Sequence, residues 1–233
     1  MISLNNLEKV YQSVEGSLKV IDIPFYEIEE GSQIALVGPS GSGKTTFLNL
    51  ISGLVNPTKG EVIVDGVRVD KLKETEKDRF RAQTIGYIFQ NFNLVNSLSA
   101  MENVMLPMMF AGTGSKKQQQ ARAKELLAEV NLDHRLNHKP ASLSKGEQQR
   151  VAIARALANS AKIILADEPT GNIDYHTGIK IFTLLKDLCS KENITLVMVT
   201  HSEEYKTKLP QIVDIRDINR AITYGEEGTV WES

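Results

Sequence analysis

Nine consecutive residues combine glycines, a lysine and hydroxyl groups at fixed spacing. They read GPSGSGKTT, and Gly38, Gly43, Lys44 and Thr45 satisfy the pattern G-x-x-x-x-G-K-[ST]. Glycines let successive backbone N–H groups turn toward phosphate oxygens, and a following helix adds the positive end of its dipole. A lysine here neutralises the β- and γ-phosphates, and the next hydroxyl binds Mg²⁺. The run predicted to bind a nucleotide's phosphates is Gly38, Pro39, Ser40, Gly41, Ser42, Gly43, Lys44, Thr45 and Thr46.

The flanking residues are of the kinds that such a loop requires. Ile34–Val37 is a short apolar run, typical of a buried parallel strand. Apolar residues then recur at helical spacing, at Phe47, Leu48, Leu50, Ile51 and Leu54. A glycine-rich turn that merely contains a lysine does not require this strand–loop–helix context, so the context favours phosphate binding.

Two acids end a second apolar run. Ile163–Ala166 is typical of a buried strand, and Asp167 and Glu168 follow it directly. Carboxylates at the carboxyl end of a parallel strand face the same crevice as a phosphate loop. Asp167 is predicted to hold Mg²⁺ through water, since Mg²⁺ keeps much of its hydration shell. Glu168 is predicted to orient or deprotonate an attacking water. Without the phosphate loop, the pair would be interpreted as solvated acids.

A third segment points to a family. Residues 143–150 read LSKGEQQR, similar to the signature LSGGQ followed by QR in nucleotide-binding domains of ATP-binding cassette (ABC) transporters. The resemblance covers residues 1–225. In that family two domains pair head to tail, and the phosphate loop of one and the signature of the other clamp the same ATP. The resemblance implies that Ser144 and the Gly146 N–H touch the γ-phosphate bound to a partner subunit, with Glu147 nearby.

The signature departs from the family pattern at two positions, with Lys145 in place of Gly and Glu147 in place of Gln. Ser144 and Glu147 form a capping box, a role that Glu fills as well as Gln. The charge of Glu147 would stand near a phosphate of the same sign, and Lys145 is close enough in sequence to offset it. On this hypothesis Glu147→Gln keeps ATPase activity and Lys145→Glu lowers it.

Four more positions match the family by their place in the sequence. Gln90 ends the run YIFQ, where the family has the glutamine that contacts Mg²⁺ and water. Asp174 falls at the position where the chains of family members cross the dimer interface. His201 falls at the position of the family's histidine that contacts the γ-phosphate. Tyr11 lies where an aromatic ring stacks on adenine; packing on the sheet edge is the alternative for it.

The remaining patterns describe the elements that must position these residues. Segments 2–11, 18–28, 62–69 and 85–90 have strand-like apolar residues, and Asp65-Gly66 is typical of a type I′ hairpin. From about 92 to 160 the sequence is predicted to be helical, with capping boxes at Ser99/Glu102, Ser115/Gln118 and Ser144/Glu147. Strands and a helix then alternate: Ile163–Ala166, about 177–191, Ile194–Thr200 and Ile212–Ile215.

This order predicts an α/β protein: a P-loop NTPase core with an antiparallel β subdomain and an inserted α-helical subdomain, as in ABC ATPases. We expect one domain over 1–233. Its core and β subdomain take 1–91 and 161–233, and the helical subdomain with the signature takes 92–160. By resemblance, two copies close around two ATP and two Mg²⁺, and hydrolysis reopens them.

The composition argues against several classes of protein. The chain has 233 residues, 41% hydrophobic and 24% charged, with a net charge of −2, which gives no electrostatic case for binding nucleic acid. The single cysteine, Cys189, excludes an internal disulfide and is expected to be buried. No apolar run is long enough for a membrane span, and the first ten residues do not resemble a signal peptide.

The resemblance also implies a membrane partner. The chain is expected in the cytoplasm, peripheral on the inner face of the cell membrane, driving a separate transmembrane permease. The contact is expected in a groove around Phe92–Met109, an unusually apolar segment in which core packing explains most of the apolar residues. The phrases DEPTGNID and IFQNFNL most resemble the lipoprotein-release, macrolide-efflux and antimicrobial-peptide-resistance ATPases, which move hydrophobic or peptide-like molecules. Three alternatives stay open: a cell-division-type ABC ATPase, a poorly hydrolysing ATP-binding switch, and an ATPase acting on DNA or the ribosome.

Overall fold

The computed structural model describes residues 1–13 and 16–222. The end of the predicted domain, from 223 to 233, lies outside the described residues. The strands are β1 (Ile2–Ser13), β2 (Gly16–Ile28), β3 (Gln33–Val37), β4 (Lys59–Val64), β5 (Val67–Arg68), β6 (Ile85–Ile88), β7 (Ile163–Asp167), β8 (Thr195–Val199) and β9 (Gln211–Asp214). The helices are α1 (Lys44–Ile51), α2 (Glu74–Thr84), α3 (Ala100–Ala111), α4 (Lys116–Glu129), α5 (Lys145–Ala156), α6 (Tyr175–Lys191), α7 (Glu203–Thr207) and α8 (Ile215–Ile218).

The first sheet is antiparallel, in the order β2-β1-β4-β5. A tight turn joins β4 to β5 at Asp65 and Gly66, whose φ angles are 51° and 76°. Two successive positive φ angles define the type I′ turn, so the predicted hairpin is confirmed.

The second sheet is parallel, in the order β6-β7-β8-β3-β9. The three central strands, β7, β8 and β3, are short and buried on both faces, which explains their continuous apolar sequences. Because all five strands run the same way, the residues that follow β3, β6, β7 and β8 meet at one edge of the sheet. That edge brings together the phosphate loop, Gln90, Asp167 with Glu168, and His201.

Helices α3, α4 and α5 begin at the capping boxes that the sequence predicts. Ser99, Ser115 and Ser144 each accept a hydrogen bond from the backbone N–H three residues later, and each of the three capping boxes is complete. Helices α3, α4 and α5 pack together and onto the parallel sheet, with Val104, Leu126 and Val151 fully buried among them.

Two sequence-based boundaries are wrong, and one helix is missing from the sequence-based prediction. The helix α2 was not predicted, because its polar sequence ETEKDRFRAQT has little apolar periodicity. The strand predicted over 85–90 ends at Ile88, so Gln90 lies in a loop. The strand predicted to reach Ile215 ends at Asp214, and Ile215 begins the short helix α8.

The parallel sheet separates two hydrophobic clusters. Alternate residues of β3 illustrate the division: Ala35 faces the helical side, while Ile34 and Leu36 face the antiparallel sheet. Cys189 is buried in the first cluster, as predicted, and burial raises the pKa of its thiol to about 12. Over the described ranges, no helix combines the length and apolarity that a membrane crossing requires.

Candidate functional site

The loop between β3 and α1 has the backbone shape that its glycines permit. Gly38 and Gly43 have φ angles of 142° and 90°, a region that side chains rarely adopt. A Cβ on Gly38 would also lie 2.7 Å from Cγ2 of Ile215. Gly43 caps α1 without a side-chain hydrogen bond, so no side chain occupies the backbone donors at the helix start. Such a helix terminus attracts anions.

Lys44 is held inside this loop. Its Nζ donates to the carbonyls of Gly38 at 3.0 Å and Pro39 at 2.6 Å, and contacts Oγ of Ser42 at 3.5 Å. The side chain is buried, and burial lowers the pKa of its ammonium, while Glu168, Asp167 and Asp214 act in the opposite direction. The carbonyls are neutral acceptors, so an anionic phosphate arriving in the loop would satisfy the ammonium better.

Asp167 and Glu168 stand at the end of β7. Burial raises the pKa of the Asp167 carboxyl, and a hydrogen bond from the Thr45 side chain opposes that shift. Glu168 has a φ of 44°, unusual for a residue other than glycine. Its backbone N–H donates to the Val199 carbonyl at 3.1 Å. Strained backbone of this kind concentrates at functional sites.

Two further predicted residues converge on the Glu168 carboxylate. Nε2 of His201 lies 3.1 Å from its Oε1, and Nε2 of Gln90 lies 3.4 Å from its Oε2. The carboxylate therefore sits between a histidine and an amide, on the same sheet edge as the phosphate loop. This arrangement can hold a water between a base and hydrogen-bonding neighbours.

The oxygen donors in this region fit a magnesium ion. The Thr45 side chain lowers the pKa of the Asp167 carboxyl against the effect of burial, so the two groups interact, and both are ligands that Mg²⁺ accepts. Within 1–13 and 16–222, no group of three His, Cys, Asp or Glu side chains could hold a metal ion. One carboxylate and one hydroxyl suit Mg²⁺, which takes its remaining ligands from water and phosphate.

The loop after Glu168 forms hydrogen bonds with the loop that carries Gln90 and caps the following helix. Nδ2 of Asn172 donates to the Gln90 carbonyl at 3.1 Å and to Oδ1 of Asn91 at 2.8 Å. Asp174 caps α6 by accepting from the Thr177 N–H at 3.0 Å. This bond holds the pKa of the Asp174 carboxyl below its usual range. The sequence does not predict the role of Asn172, because its partner lies 82 residues away.

The signature segment forms the start of α5. Ser144 and Glu147 exchange the two hydrogen bonds of the capping box, at 3.2 Å and 2.8 Å. Gly146 is buried, and a Cβ there would lie 2.7 Å from Cγ2 of Thr177. The cation beside Glu147 is Arg135, at 3.0 Å, and not Lys145, which is exposed. The expectation that Lys145 offsets the charge of Glu147 is therefore corrected.

Tyr11 lies on β1 opposite Leu18 of β2, and its side chain is 40% exposed. Nζ of Lys9 lies 4.9 Å from the centre of its ring. The ring is thus partly free of the sheet, and adenine stacking stays a prediction.

A groove of about 630 Å³ opens between the sheet edge and the helical part. Its lining mixes apolar and basic side chains, and these include Leu54, Tyr87, Phe89, Phe110, Arg79 and Arg155. Within the predicted segment, Val104 and Met105 are core residues, whereas Val95 and Met109 are exposed. Phe110, one residue beyond it, is 79% exposed.

Comparisons with known proteins identify the family of the chain. A family model described as ABC transporter matches residues 23–171. An uncharacterized ABC transporter ATP-binding protein of Methanocaldococcus jannaschii is 46% identical, with 93% of this chain and 96% of that protein covered. A lipoprotein-releasing system ATP-binding protein of Caulobacter vibrioides is 42% identical, covering 93% and 95%. A macrolide export ATP-binding/permease protein of Rhodopirellula baltica is 44% identical over 93% of this chain but only 32% of its own length.

A solved structure has the same fold. It is the dimeric structure of a Methanocaldococcus jannaschii ATP-binding cassette in a post-hydrolysis state, bound to ADP and phosphate. Its TM-score to this chain is 0.86 at 41% identity, and the superposition covers 97% of this chain and 98% of that one. The similarity therefore extends over nearly the whole length of both chains.

Proposed function

Since the chain belongs to the ABC transporter family and is an ATPase of that family, we propose that two copies hydrolyse ATP as a head-to-tail dimer to drive a separate membrane permease. The proposal rests first on one observation. The Glu168 carboxylate lies between His201 and Gln90, on the sheet edge that also presents the phosphate loop. This places a base, a phosphate site and the predicted magnesium ligands at one edge of one sheet.

In this proposal the phosphate loop and the start of α1 bind the nucleotide's phosphates. Lys44 leaves the carbonyls of Gly38 and Pro39 and pairs with the β- and γ-phosphates. The low exposure of Lys44 supports this role, since a charge shielded from water interacts more strongly with an anion. Tyr11 stacks on the adenine ring.

The Thr45 hydroxyl and the Asp167 carboxylate hold Mg²⁺, with Gln90 contributing from the loop after β6. When bound, Mg²⁺ supplies charge neutralisation to the phosphates. Glu168 accepts a proton from the attacking water, and His201, 3.1 Å away, steadies that carboxylate and contacts the γ-phosphate. Phosphoryl transfer needs mainly such positioning and charge stabilisation from the protein.

A second copy completes the site. We infer that Ser144, the Gly146 N–H and the region of Glu147 lie against the γ-phosphate held by the partner, and that Asp174 crosses the same interface. The dimeric cassette structure bound to ADP and phosphate supports this assembly. The capped start of α5 provides the backbone donors of a helix N-terminus.

The groove lined by Leu54, Phe89 and Phe110 is the proposed docking site for the permease. Exposed apolar side chains in a concave surface mark interaction sites on otherwise polar proteins. The relative that carries ATP-binding and permease parts in one protein supports such a partner. The partner would place the chain on the inner face of the membrane.

The proposed cargo is hydrophobic or peptide-like, as the names of the lipoprotein-releasing and macrolide export relatives suggest. A cell-division-type ATPase that regulates a membrane partner is the alternative. Co-expression with the membrane protein of the neighbouring reading frame tests the docking. Phe110→Asp should lose co-purification, and Leu18→Asp, an exposed residue outside the groove, should keep it. Co-purification of Phe110→Asp at the level of Leu18→Asp would refute the docking site.

Purified protein tests the catalytic proposal. Wild-type protein should bind Mg-ATP and hydrolyse it, and Glu168→Gln should bind ATP with unchanged affinity while its hydrolysis falls by about 10²–10⁴-fold. Size-exclusion chromatography should show that the variant is a dimer with Mg-ATP and a monomer with ADP. A Glu168→Gln rate near that of wild type would refute the assigned role. ATP binding by wild type with negligible turnover would favour the ATP-binding switch.

A further inference from the structure

Arg155, in the last turn of α5, donates from both terminal nitrogens to a loop far away in sequence. Its Nη1 lies 2.5 Å from the Asn93 carbonyl, and its Nη2 lies 2.6 Å from the Phe92 carbonyl. Among the described residues, no carboxylate is within salt-bridge distance of it. Burial lowers the pKa of the guanidinium to about 10. A half-buried arginine that directs both terminal nitrogens at two carbonyls, without a counter-ion, indicates a specific task.

The two carbonyls belong to residues in an unfavourable backbone conformation. Phe92 and Asn93 have φ angles of 60° and 49°. Asparagine tolerates this region, but a bulky aromatic residue is an outlier there. Such a conformation persists only when its surroundings hold it. The buried ring of Phe92 and the fork of Arg155 hold this one, together with backbone bonds from the Phe92 N–H to the Phe89 carbonyl at 3.1 Å and from the Asn93 N–H to the Asn91 carbonyl at 2.6 Å.

The clamped loop carries Gln90. Asn172 holds the Gln90 carbonyl at 3.1 Å from one side, and Arg155 holds the loop two and three residues later from the other. The Gln90 side chain then reaches Glu168 at 3.4 Å. Arg155 also lines the groove described above, so one side chain contacts both the groove and the loop that leads to the catalytic carboxylate.

We propose that Arg155 is a positioning residue, which holds residues 89–93 in the shape that places Gln90 beside Glu168. The inference rests on the proposed function, because it assumes that Gln90 and Glu168 take part in hydrolysis. Lysine cannot replace Arg155 fully, since an ammonium lacks the planar fork that reaches both carbonyls.

Hydrogen exchange in the nucleotide-free protein tests the positioning without relying on catalysis. Arg155→Lys should speed exchange of the backbone amides in residues 89–95 at least several-fold, with the rest of the sheet unchanged. Arg122→Lys is the matched control: Arg122 lies on α4, 3.5 Å from Glu125, and its replacement should leave the loop unchanged. Unchanged exchange in Arg155→Lys would overturn the proposal. If Arg155→Lys does not fold, Arg155→Gln, whose amide keeps one donor for a carbonyl, takes its place.

A double-mutant cycle tests whether Arg155 acts through Gln90. Arg155→Lys should lower kcat by about 10-fold or more, as small misplacements of catalytic groups do. In a Gln90→Ala background the same change should cost less than about twofold, because interacting residues are not additive. Equal losses in both backgrounds would show a general structural role and overturn the proposal. A wild-type protein without ATPase activity would refute the proposed function instead, and the exchange result would still decide the positioning.

Discussion

Nε of Arg135 donates to Oε1 of Glu147 at 3.0 Å. The other carboxylate oxygen, Oε2, accepts from the Ser144 N–H at 2.8 Å. These contacts, the Ser144 backbone bond first, hold the pKa of the Glu147 carboxyl below its usual range. The acid in the signature is therefore charged at neutral pH, and a cation lies directly against it.

The first prediction is that Arg135→Gln lowers kcat more than Glu147→Gln does. Loss of Arg135 leaves an uncompensated negative charge near the proposed phosphate of the partner subunit, and such a charge repels the nucleotide. Glu147→Gln removes that charge, and Gln keeps the capping box. Steady-state ATPase rates of the purified variants measure the difference.

The double variant Arg135→Gln/Glu147→Gln is the control, and it should recover a rate close to that of Glu147→Gln alone. A double variant as slow as Arg135→Gln would show that the arginine acts by packing and not through the charge of Glu147.

The second prediction concerns stability and pH. Burial raises the pKa of the Asp167 carboxyl, so the folded state favours its protonated form, and its charge at neutral pH destabilises the nucleotide-free fold. Asp167→Asn, a neutral isostere, should therefore raise Tm at pH 7, by about 2–4 °C for each kcal/mol in a chain of this size. The gain should shrink as pH falls through the range where Asp167 gains its proton in wild type.

The same substitution should abolish most Mg²⁺-dependent hydrolysis, because it removes the proposed carboxylate ligand. Differential scanning calorimetry at pH 7 and pH 4.5, without nucleotide, measures the stability change. A lower Tm at pH 7 would mean that the contacts of Asp167 with Thr45 and Lys44 outweigh the cost of burying its charge.

The features that the sequence predicts correctly are local ones. The phosphate loop, the acids after β7, the Asp65-Gly66 turn and the three capping boxes each depend on residues within a few positions of one another. Their geometry follows from the φ preferences of single residues and from hydrogen bonds between residues that are close in sequence. Neither depends on tertiary contacts.

The contacts that the sequence does not predict are tertiary. Arg155 reaches carbonyls 62 and 63 residues away, and its type and spacing give no signal of this. In α2, the side chain of Lys77 is buried, and its Nζ donates to Oδ1 of Asn56 at 2.6 Å. A lysine at that position is typical of a solvated helix face, so hydrophobic periodicity could not identify the helix.

The third prediction concerns the space between Gly171 and the side chains of Gln90 and Glu168. A Cβ on Gly171 would lie 3.0 Å from Nε2 of Gln90 and 3.4 Å from Oε2 of Glu168. Gly171 does not have a positive φ, so its backbone conformation is open to alanine. Gly171→Ala should therefore fold normally and displace the Gln90 amide. We expect kcat to fall by about 10-fold, with Tm and the affinity for ATP nearly unchanged.

Gly171→Ala combined with Gln90→Ala provides the check on that mechanism. Once the amide is gone, the added methyl group has nothing to displace, so it should cause little further loss. A full additional tenfold loss in the double variant would indicate that the methyl group acts on Glu168 or on the partner subunit.

The last prediction concerns how closely α5 packs on α6. Gly146→Ala would place a Cβ 2.7 Å from Cγ2 of Thr177, a separation that forces one helix to shift. Overpacking of this kind costs about 1–3 kcal/mol, and urea unfolding of the nucleotide-free protein measures it. Thr177→Ser removes that methyl group and keeps the hydroxyl and the backbone N–H that Asp174 caps. Gly146→Ala/Thr177→Ser should therefore recover most of the lost stability. If it recovers none, the clash is relieved elsewhere, and the demand for glycine at this signature position comes from the nucleotide side of α5 and not from its packing.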